Sequence, residues 1–233
     1  MSLQTLWQSD LGVVVGSTVR GDDALALWRS LADGDGYPLI VGDLENVVTQ
    51  ATSSTRLPFD RSKAIAETLD PPSLIAGWRS ELDEHVSELA EEGFDIVGEW
   101  PANVTRLDGI TLTTDIRTGE PLDTVTVAQL PIGAGWTSAA FLSWGGWNAC
   151  PGPEEHTAIH RYWWDAYGAQ PVAVSGDVFE FVVGRPPTSR ETAMALAWEQ
   201  FGYCNDIVDQ GVGTVSKLAA ALIDSPFWYF WWD

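Results

Sequence analysis

The sequence predicts an α+β protein whose sheet is mixed or antiparallel, contains hairpins and is flanked by helices. Short β-branched runs indicate strands, longer stretches with apolar residues three and four apart indicate helices, and glycine-containing turns separate neighbouring strand-like runs. Hairpins interspersed with helices disfavour a doubly wound parallel sheet. Apolar residues make up 45% of the chain and charged residues 19%, so a folded core is expected.

The first part of the chain begins with a strand followed by a helix whose first turn is acidic. Asp43 is expected to cap a short helix, and a Ser/Thr-rich loop separates it from two further helices. The predicted elements are strands over 11–17 and 37–41 and helices over 22–31, 44–50, 60–67 and 72–92.

The second part combines more strand-like runs with helices. Two of these runs flank a glycine-containing turn at 132–136 and are expected to form a hairpin. Thr188 or Ser189 is expected to cap one of the last two helices, and Thr214 the other. The predicted elements are strands over 124–131, 137–144, 171–175, 178–184 and 228–232 and helices over 153–167, 188–203 and 214–223.

Composition suggests how these elements are grouped into domains. Residues 1–100 form an N-terminal α/β region of unknown role, 101–123 a connection rich in turn residues, and 124–233 a C-terminal α+β domain. Packing of the two parts as one globule is the alternative. The chain length allows either arrangement.

The charge balance narrows the class of partners. Acidic residues number 33 against 12 lysines and arginines, for a formal charge of -21. Such a field repels phosphate backbones and anionic membrane surfaces, so neither a nucleic acid nor a membrane is expected as a partner. The charge either serves solubility, including in a salty cytoplasm, or forms a face for a basic protein partner.

Localisation is inferred from the absence of targeting features. No apolar stretch reaches the roughly 18 residues of a membrane helix, and the chain start lacks a basic head with an apolar signal core. Two cysteines are too few for a disulfide framework and would remain thiols in a reducing compartment. We therefore expect a cytoplasmic protein.

The segment 144–151, Trp-Gly-Gly-Trp-Asn-Ala-Cys-Pro, is the most unusual part of the sequence. Its adjacent glycines permit positive φ angles or close backbone approach, Trp147 offers a flat amphipathic ring, and Asn148 can hydrogen-bond a turn. Two interpretations remain open: a tight loop fixed by a buried tryptophan, or a ligand-binding loop.

Cys150 and the histidines after it raise two chemical possibilities. Cys150 precedes a predicted helix with His156 close behind, as in a thiol nucleophile, although Glu154 and Glu155 weaken the positive potential there. The alternative, a weaker one, is a zinc site whose four ligands would be Cys150, His156, His160 and Cys204. The set lacks both a C-x-x-C knuckle and the glutamate of H-E-x-x-H, so no metal or cofactor is predicted.

Two further segments are candidates for a site. The polar stretch 203–214 places Asp206, Asp209 and Gln210 between two helices, where they could bind an ion or cap helix ends. Six consecutive aromatics close the chain over 227–232, either as a central strand buried on both faces or as the wall of a ligand pocket.

These three segments carry a family resemblance, which extends over about residues 124–233. In this order they resemble the bacterial domain of unknown function 4253, a family that supplies no activity to carry over, and His160 is not part of its pattern. The matching motifs are Gly146-Trp-Asn-Ala-Cys-Pro151 with His156 and Arg161-Tyr-Trp163, Glu199-Gln200 with 203–211, and Ser225-Pro-Phe-Trp-Tyr-Phe-Trp-Trp-Asp233.

Two functional hypotheses follow. The first is a cytoplasmic binding protein, of the immunity or antitoxin sort, whose acidic scaffold meets a basic protein partner. The alternative is an enzyme or small-ligand binder with a pocket between the Trp-Asn-Cys-Pro loop and the Asn-Asp-Ile-Val-Asp segment, beside the aromatic terminus. The candidate ligand-binding residues are Trp147, Asn148, Cys150, His156, Tyr203, Cys204, Asp206, Asp209 and Gln210.

Overall fold

A computed structural model describes residues 3–233 and shows an α+β fold built on one mixed, seven-stranded sheet. The strand order across the sheet is β1-β2-β4-β3-β5-β6-β7. The strands are β1 (Gln4–Ser9), β2 (Gly12–Val19), β3 (Tyr37–Val41), β4 (Val125–Leu130), β5 (Ala169–Val174), β6 (Val178–Val183) and β7 (Phe227–Trp231).

The sheet combines strands from both parts of the chain. Strand β4 lies between β2 and β3 and is antiparallel to both. Strand β3 pairs with β5 in parallel, and all other neighbours are antiparallel. The sheet therefore cannot be divided at the turn-rich connection without separating hydrogen-bonded strands.

Eight α-helices lie in the described residues, and their starts follow the capping rules. The side chains of Asp43, Ser189 and Thr214 each accept a backbone N–H in the first turn of the following helix, as the sequence predicts. No helix within residues 3–233 is long and apolar enough to cross a membrane. The helices are α1 (Gly21–Leu31), α2 (Leu44–Ala51), α3 (Phe59–Ala66), α4 (Pro71–Glu91), α5 (Ser138–Leu142), α6 (Pro153–Tyr167), α7 (Arg190–Tyr203) and α8 (Val215–Leu222).

The two faces of the sheet carry separate apolar cores. The larger core includes helices α5, α6 and α7 and is rich in aromatic rings, including Phe179 and Phe181 of β6. The smaller core packs α1 and part of the 101–123 connection against the opposite face. Alternate residues of a strand point to opposite faces, so neighbouring positions of β6 belong to different cores.

The predicted strand over 137–144 is wrong, and so is the hairpin built on it. Residues 135–137 form a 3-10 turn that leads into α5. All five residues of α5 are buried, so neither a helical nor a strand periodicity is visible in the sequence. Ser143 ends the helix with a φ of 52°. Strand β1, which pairs with β2 as a hairpin, was not predicted from the sequence.

The aromatic terminus is an edge strand and not a central one. β7 pairs with β6 on one side only. Trp228, Phe230 and Trp232 are buried in the larger core, as the alternation predicts. Tyr229 and Trp231 on the opposite side are partly exposed.

Candidate functional site

The tryptophan loop, residues 144–151, has the special backbone geometry that its glycines predict. Gly145 and Gly146 have φ angles of 108° and 87°, and Asn148 has 46°. A side chain at Gly145 would collide with the carbonyl of Pro151 and approach the Nε2 of His156 to 2.7 Å. The glycine thus lets the loop pack directly on the imidazole ring.

The three segments singled out in the sequence meet in space. Asn148 Nδ2 donates to the backbone oxygen of Asp233 at 2.6 Å, and Asp206 Oδ2 accepts from the Asp233 N–H at 3.0 Å. The thiol of Cys204 donates to the backbone oxygen of Trp231 at 3.0 Å. The chain terminus is therefore held between the tryptophan loop and the segment after α7.

Beneath this junction lies a buried hydrogen-bonded array, which we call the Cys-His-Tyr-His cluster. Its members are Cys150, His156, Tyr203 and His160, none more than 5% exposed. The Sγ of Cys150 lies 3.3 Å from Nε2 of His156, whose Nδ1 lies 2.6 Å from the Tyr203 hydroxyl. That hydroxyl also lies 3.0 Å from Nε2 of His160. The cluster links the tryptophan loop, α6 and the end of α7.

Burial keeps every member of the cluster uncharged. It raises the pKa of the Cys150 thiol and of the Tyr203 phenol, and it lowers the pKa of His156 well below its usual range and that of His160 to about 3. Neutral groups can complete the chain with protons running in either direction. Cys150 is therefore a thiol in the folded protein and lacks the thiolate that a nucleophile needs.

The zinc set proposed from sequence is not assembled. Among residues 3–233, no group of three or more His, Cys, Asp or Glu side chains is placed to hold a metal ion. Both nitrogens of His156 face cluster partners, and Cys204 is occupied with the terminal strand. Both cysteines are free and buried, so each acts as a small core side chain with one hydrogen bond.

A cleft of about 330 Å³ opens directly above the cluster, between α4, the tryptophan loop and the end of α7. We call it the α4 cleft. Asn148 and Cys150 contribute from the loop, and Tyr203 contributes from the second segment. The ionisable groups of its wall include Glu81 and Glu155 but no lysine or arginine. The remaining lining residues are Trp78, Leu82, His85, Ala149, Pro151, Phe201, Gly202 and Asn205.

Other predicted residues lie in different places. Asp206 and Gln210 line a second cleft, at the edge strand β7, and their side chains are 2.7 Å apart. Trp147 lines a separate depression, together with residues of the segment 49–56. Asp209 lies 3.1 Å from His85 of α4 and lines neither cleft. The candidate residues are thus brought to one region but divided between separate surfaces.

A buried carboxylate on the other face of the sheet was not predicted from the sequence. Glu180 of β6 is 1% exposed and accepts the backbone N–H groups of Thr111 and Leu112 at 2.7 and 3.1 Å. Burial raises its pKa to about 7. The signal was present, since an acid between two phenylalanines in a strand must find a partner when both faces are covered.

The helix over 72–92 was predicted, but its place in the wall of a cleft was missed, as were two residues that line the cleft at β7. Trp78 and Glu81 belong to this helix and line the α4 cleft. Gln200 and Trp228 line the second cleft, at the edge strand β7, and lie in segments that were noted for the family resemblance. These contributions depend on contacts between segments far apart in sequence, which only the structure shows.

The comparisons with known proteins agree with the motifs. No curated protein and no solved structure matches the chain. A family model described as Domain of unknown function (DUF4253) matches residues 126–233. This region contains the tryptophan loop, the cluster and the aromatic terminus, so the C-terminal part of the chain is similar to that family, as its motifs predict.

Proposed function

We propose that the protein binds a basic protein partner, whose lysine or arginine side chain enters the α4 cleft. The observation that carries this proposal is the continuity of the cleft with an acidic helix face. Glu81 lies in the cleft wall and belongs to the same helix as a row of exposed acids. That row is Glu81, Glu84, Glu88 and Glu91, followed by the cap residue Glu92.

The cleft offers complementary chemistry to a cation. Its wall carries carboxylates and no lysine or arginine. The ring of Trp78 can contact a cation through its face, and the last turn of α7 presents the negative end of the helix dipole. Surrounding acids favour encounter with a basic surface, because complementary fields accelerate association.

This proposal places the activity in recognition and not in chemistry at Cys150. The thiol is protonated, and neither imidazole of the cluster carries charge near neutral pH. The cluster supports the floor of the cleft by fixing the loop relative to α6 and α7. A cytoplasmic protein of the immunity or antitoxin sort is the class that we propose, because an acidic surface complements a basic protein that it would neutralise.

The test compares two sets of three substitutions that change the net charge equally. One variant carries Glu81→Gln, Glu84→Gln and Glu88→Gln on α4. The matched control carries Asp23→Asn, Asp33→Asn and Asp35→Asn, which are exposed acids near α1. The wild type and the two variants are each immobilised and exposed to extract of the native host at low salt. Any basic protein that is retained is then purified, and its affinity for each of the three proteins is measured by titration.

We expect the wild type and the α1-side control to retain the same basic protein, and the α4 variant to lose most of it. Its dissociation constant should rise about tenfold or more, which corresponds to about 1.4 kcal/mol. Equal binding by both variants would show that only net charge matters, and an absence of any basic partner would remove the proposal.

A free small cation is a second candidate, favoured by the size of the cleft. A volume of about 330 Å³ lies within the range of about 300–1,000 Å³ that small-molecule sites occupy. Calorimetric titration of the wild type with agmatine and cadaverine distinguishes this case. Saturable binding that Glu81→Gln weakens would favour a small ligand. If neither amine produces a heat of binding, the protein partner is favoured.

A further inference from the structure

We infer that the cleft beside strand β7, which we call the β7 cleft, is a second binding site for an apolar molecule with an acyl oxygen. The cleft has a volume of about 390 Å³ and lies between the edge strand, α8 and the segment 105–107. It shares no lining residue with the α4 cleft. The inference is therefore independent of the proposed basic partner.

The walls suit an apolar body. Aliphatic side chains of α8 form one wall, and aromatic side chains of β7 form the other. Tyr229 and Trp231 line it although they point away from the larger core. Contact with such a surface favours hydrocarbon over water by about 25 cal/mol for each Å² removed from solvent. The apolar lining residues are Leu107, Ile207, Val212, Leu218, Ala221, Leu222, Phe227, Trp228 and Trp231.

Two residues of the same wall carry hydrogen-bond donors without a partner, which favours a ligand with an acceptor oxygen. Gln200 and Trp228 are each 1% exposed, and Gln200 Nε2 and Trp228 Nε1 have no hydrogen-bond partner among residues 3–233. An amide can be rotated to present its oxygen, but an indole N–H can only donate. A buried donor without a partner is unfavourable by about 1–3 kcal/mol, which an acceptor oxygen would relieve.

The charged groups at the cleft favour an acyl oxygen over a cation. The Arg106 side chain lines the cleft and is held there by a 2.9 Å bond from its Nε to the backbone oxygen of Ile223. The carboxylate of Asp206 already accepts from Gln210 and from the terminal backbone N–H. The guanidinium is thus placed to attract a carboxylate, while the two buried donors serve any carbonyl.

The experiment titrates the full chain with decanoate, decanamide and decylamine by calorimetry. The first two carry the acyl oxygen, and the third has the same chain with no acceptor. The indole N–H signals are followed by NMR in parallel, with Trp228 assigned from its own variant. We expect decanoate and decanamide to bind and to shift the Trp228 signal, and decylamine to bind at least tenfold more weakly.

Trp228→Phe has a matched control in the same strand region. Trp232 also has a buried indole N–H without a partner among the described residues, but it does not line the cleft. Trp228→Phe and Gln200→Met should each weaken decanoate binding about three- to tenfold, the effect of one hydrogen bond, whereas Trp232→Phe should not.

Ala221→Trp provides a test that does not depend on altering the core. Ala221 is partly exposed on α8, so a large side chain there fills the cleft from its open side. We expect this variant to fold and to lose binding of both acyl compounds. The inference is overturned if neither acyl compound binds the wild type, if decylamine binds as tightly, or if Ala221→Trp binds unchanged.

Discussion

Each face of strand β6 contacts a buried ionisable group, and the two groups respond to pH in opposite directions. On one face, the rings of Phe179 and Phe181 lie 4.9 and 4.8 Å from that of His160, in the Cys-His-Tyr-His cluster. On the other face, Glu180 accepts two backbone N–H groups from the connection. Burial favours the neutral form in both places, but a histidine becomes charged in acid and a glutamate in base.

The two faces therefore contribute to stability with opposite dependence on pH. Burial lowers the pKa of His160 to about 3, so its contribution is complete above its unfolded pKa of about 6.5 and is lost as pH falls. The pKa of Glu180 is raised to about 7, so its contribution is complete below its unfolded pKa and is lost as pH rises from about 4.5 through 7. The difference shows that the same apolar environment can lower stability as pH falls at one group and as pH rises at another.

The largest expected effect is in acid, from His160→Phe. The variant keeps a ring between the two phenylalanines and cannot acquire charge. Relative to it, the wild type should lose up to about 5 kcal/mol of unfolding free energy between pH 6.5 and 3, from a pKa lowered to about 3. Acid unfolding followed by circular dichroism checks this, with His85→Gln as a control at the protein surface. If the wild type and His160→Phe unfolded over the same acid pH range, this prediction would be contradicted.

Tyr203→Phe should have the next largest effect. The hydroxyl is the shared partner of both buried imidazoles, so its removal leaves His156 Nδ1 and His160 Nε2 without a hydrogen bond. Two buried unpaired groups lower the free energy of unfolding by about 2–6 kcal/mol. Denaturant unfolding at neutral pH measures it. The control Tyr162→Phe loses one bond of 3.4 Å to Glu199 and should change stability by less than about 1 kcal/mol.

Glu180→Gln tests the opposite face. The amide cannot ionise, so the variant should lack the decrease in stability that the wild type shows as pH rises from about 4.5 to 7. The wild type should lose about 3 kcal/mol relative to the variant across this window, for a pKa raised to about 7. Urea unfolding at a series of pH values gives the difference. A constant difference between the two proteins would mean that the carboxylate is not confined as described.

The comparison also shows which features a sequence can reveal. Helix caps such as Asp43 and Ser189 act within three residues, so local sequence predicts them. The glycine geometry of the tryptophan loop was equally predictable, because positive φ has few other sources. Helix α5 was not, since burial on all sides removes the periodicity that distinguishes a helix from a strand.

The candidate site was predictable only in part. Cys150 and His156 lie close together because a loop and the helix that follows it join them, and this proximity was visible in the sequence. The role of Tyr203 as the shared partner depends on α7 packing beside α6, a contact between segments 43 positions apart. Glu180 depends on a partner 69 positions away. Such pairings follow from the sheet order, which no local pattern specifies.

The smallest expected effect separates a surface contact from the buried ones. Asn148 has a φ of 46° and donates to the terminal backbone oxygen of Asp233. Asn148→Gly keeps the backbone angle accessible but removes this bond, so it should lower stability by about 0.5–1.5 kcal/mol. Asn148→Ala should lower it by about 1 kcal/mol more, because alanine is strained at positive φ. Neither change should alter the pH dependence, since both buried regions stay intact. A shift of the acid-unfolding transition in Asn148→Gly would instead show that the tryptophan loop shields the cluster. The surface contact and the buried cluster would then act as one unit.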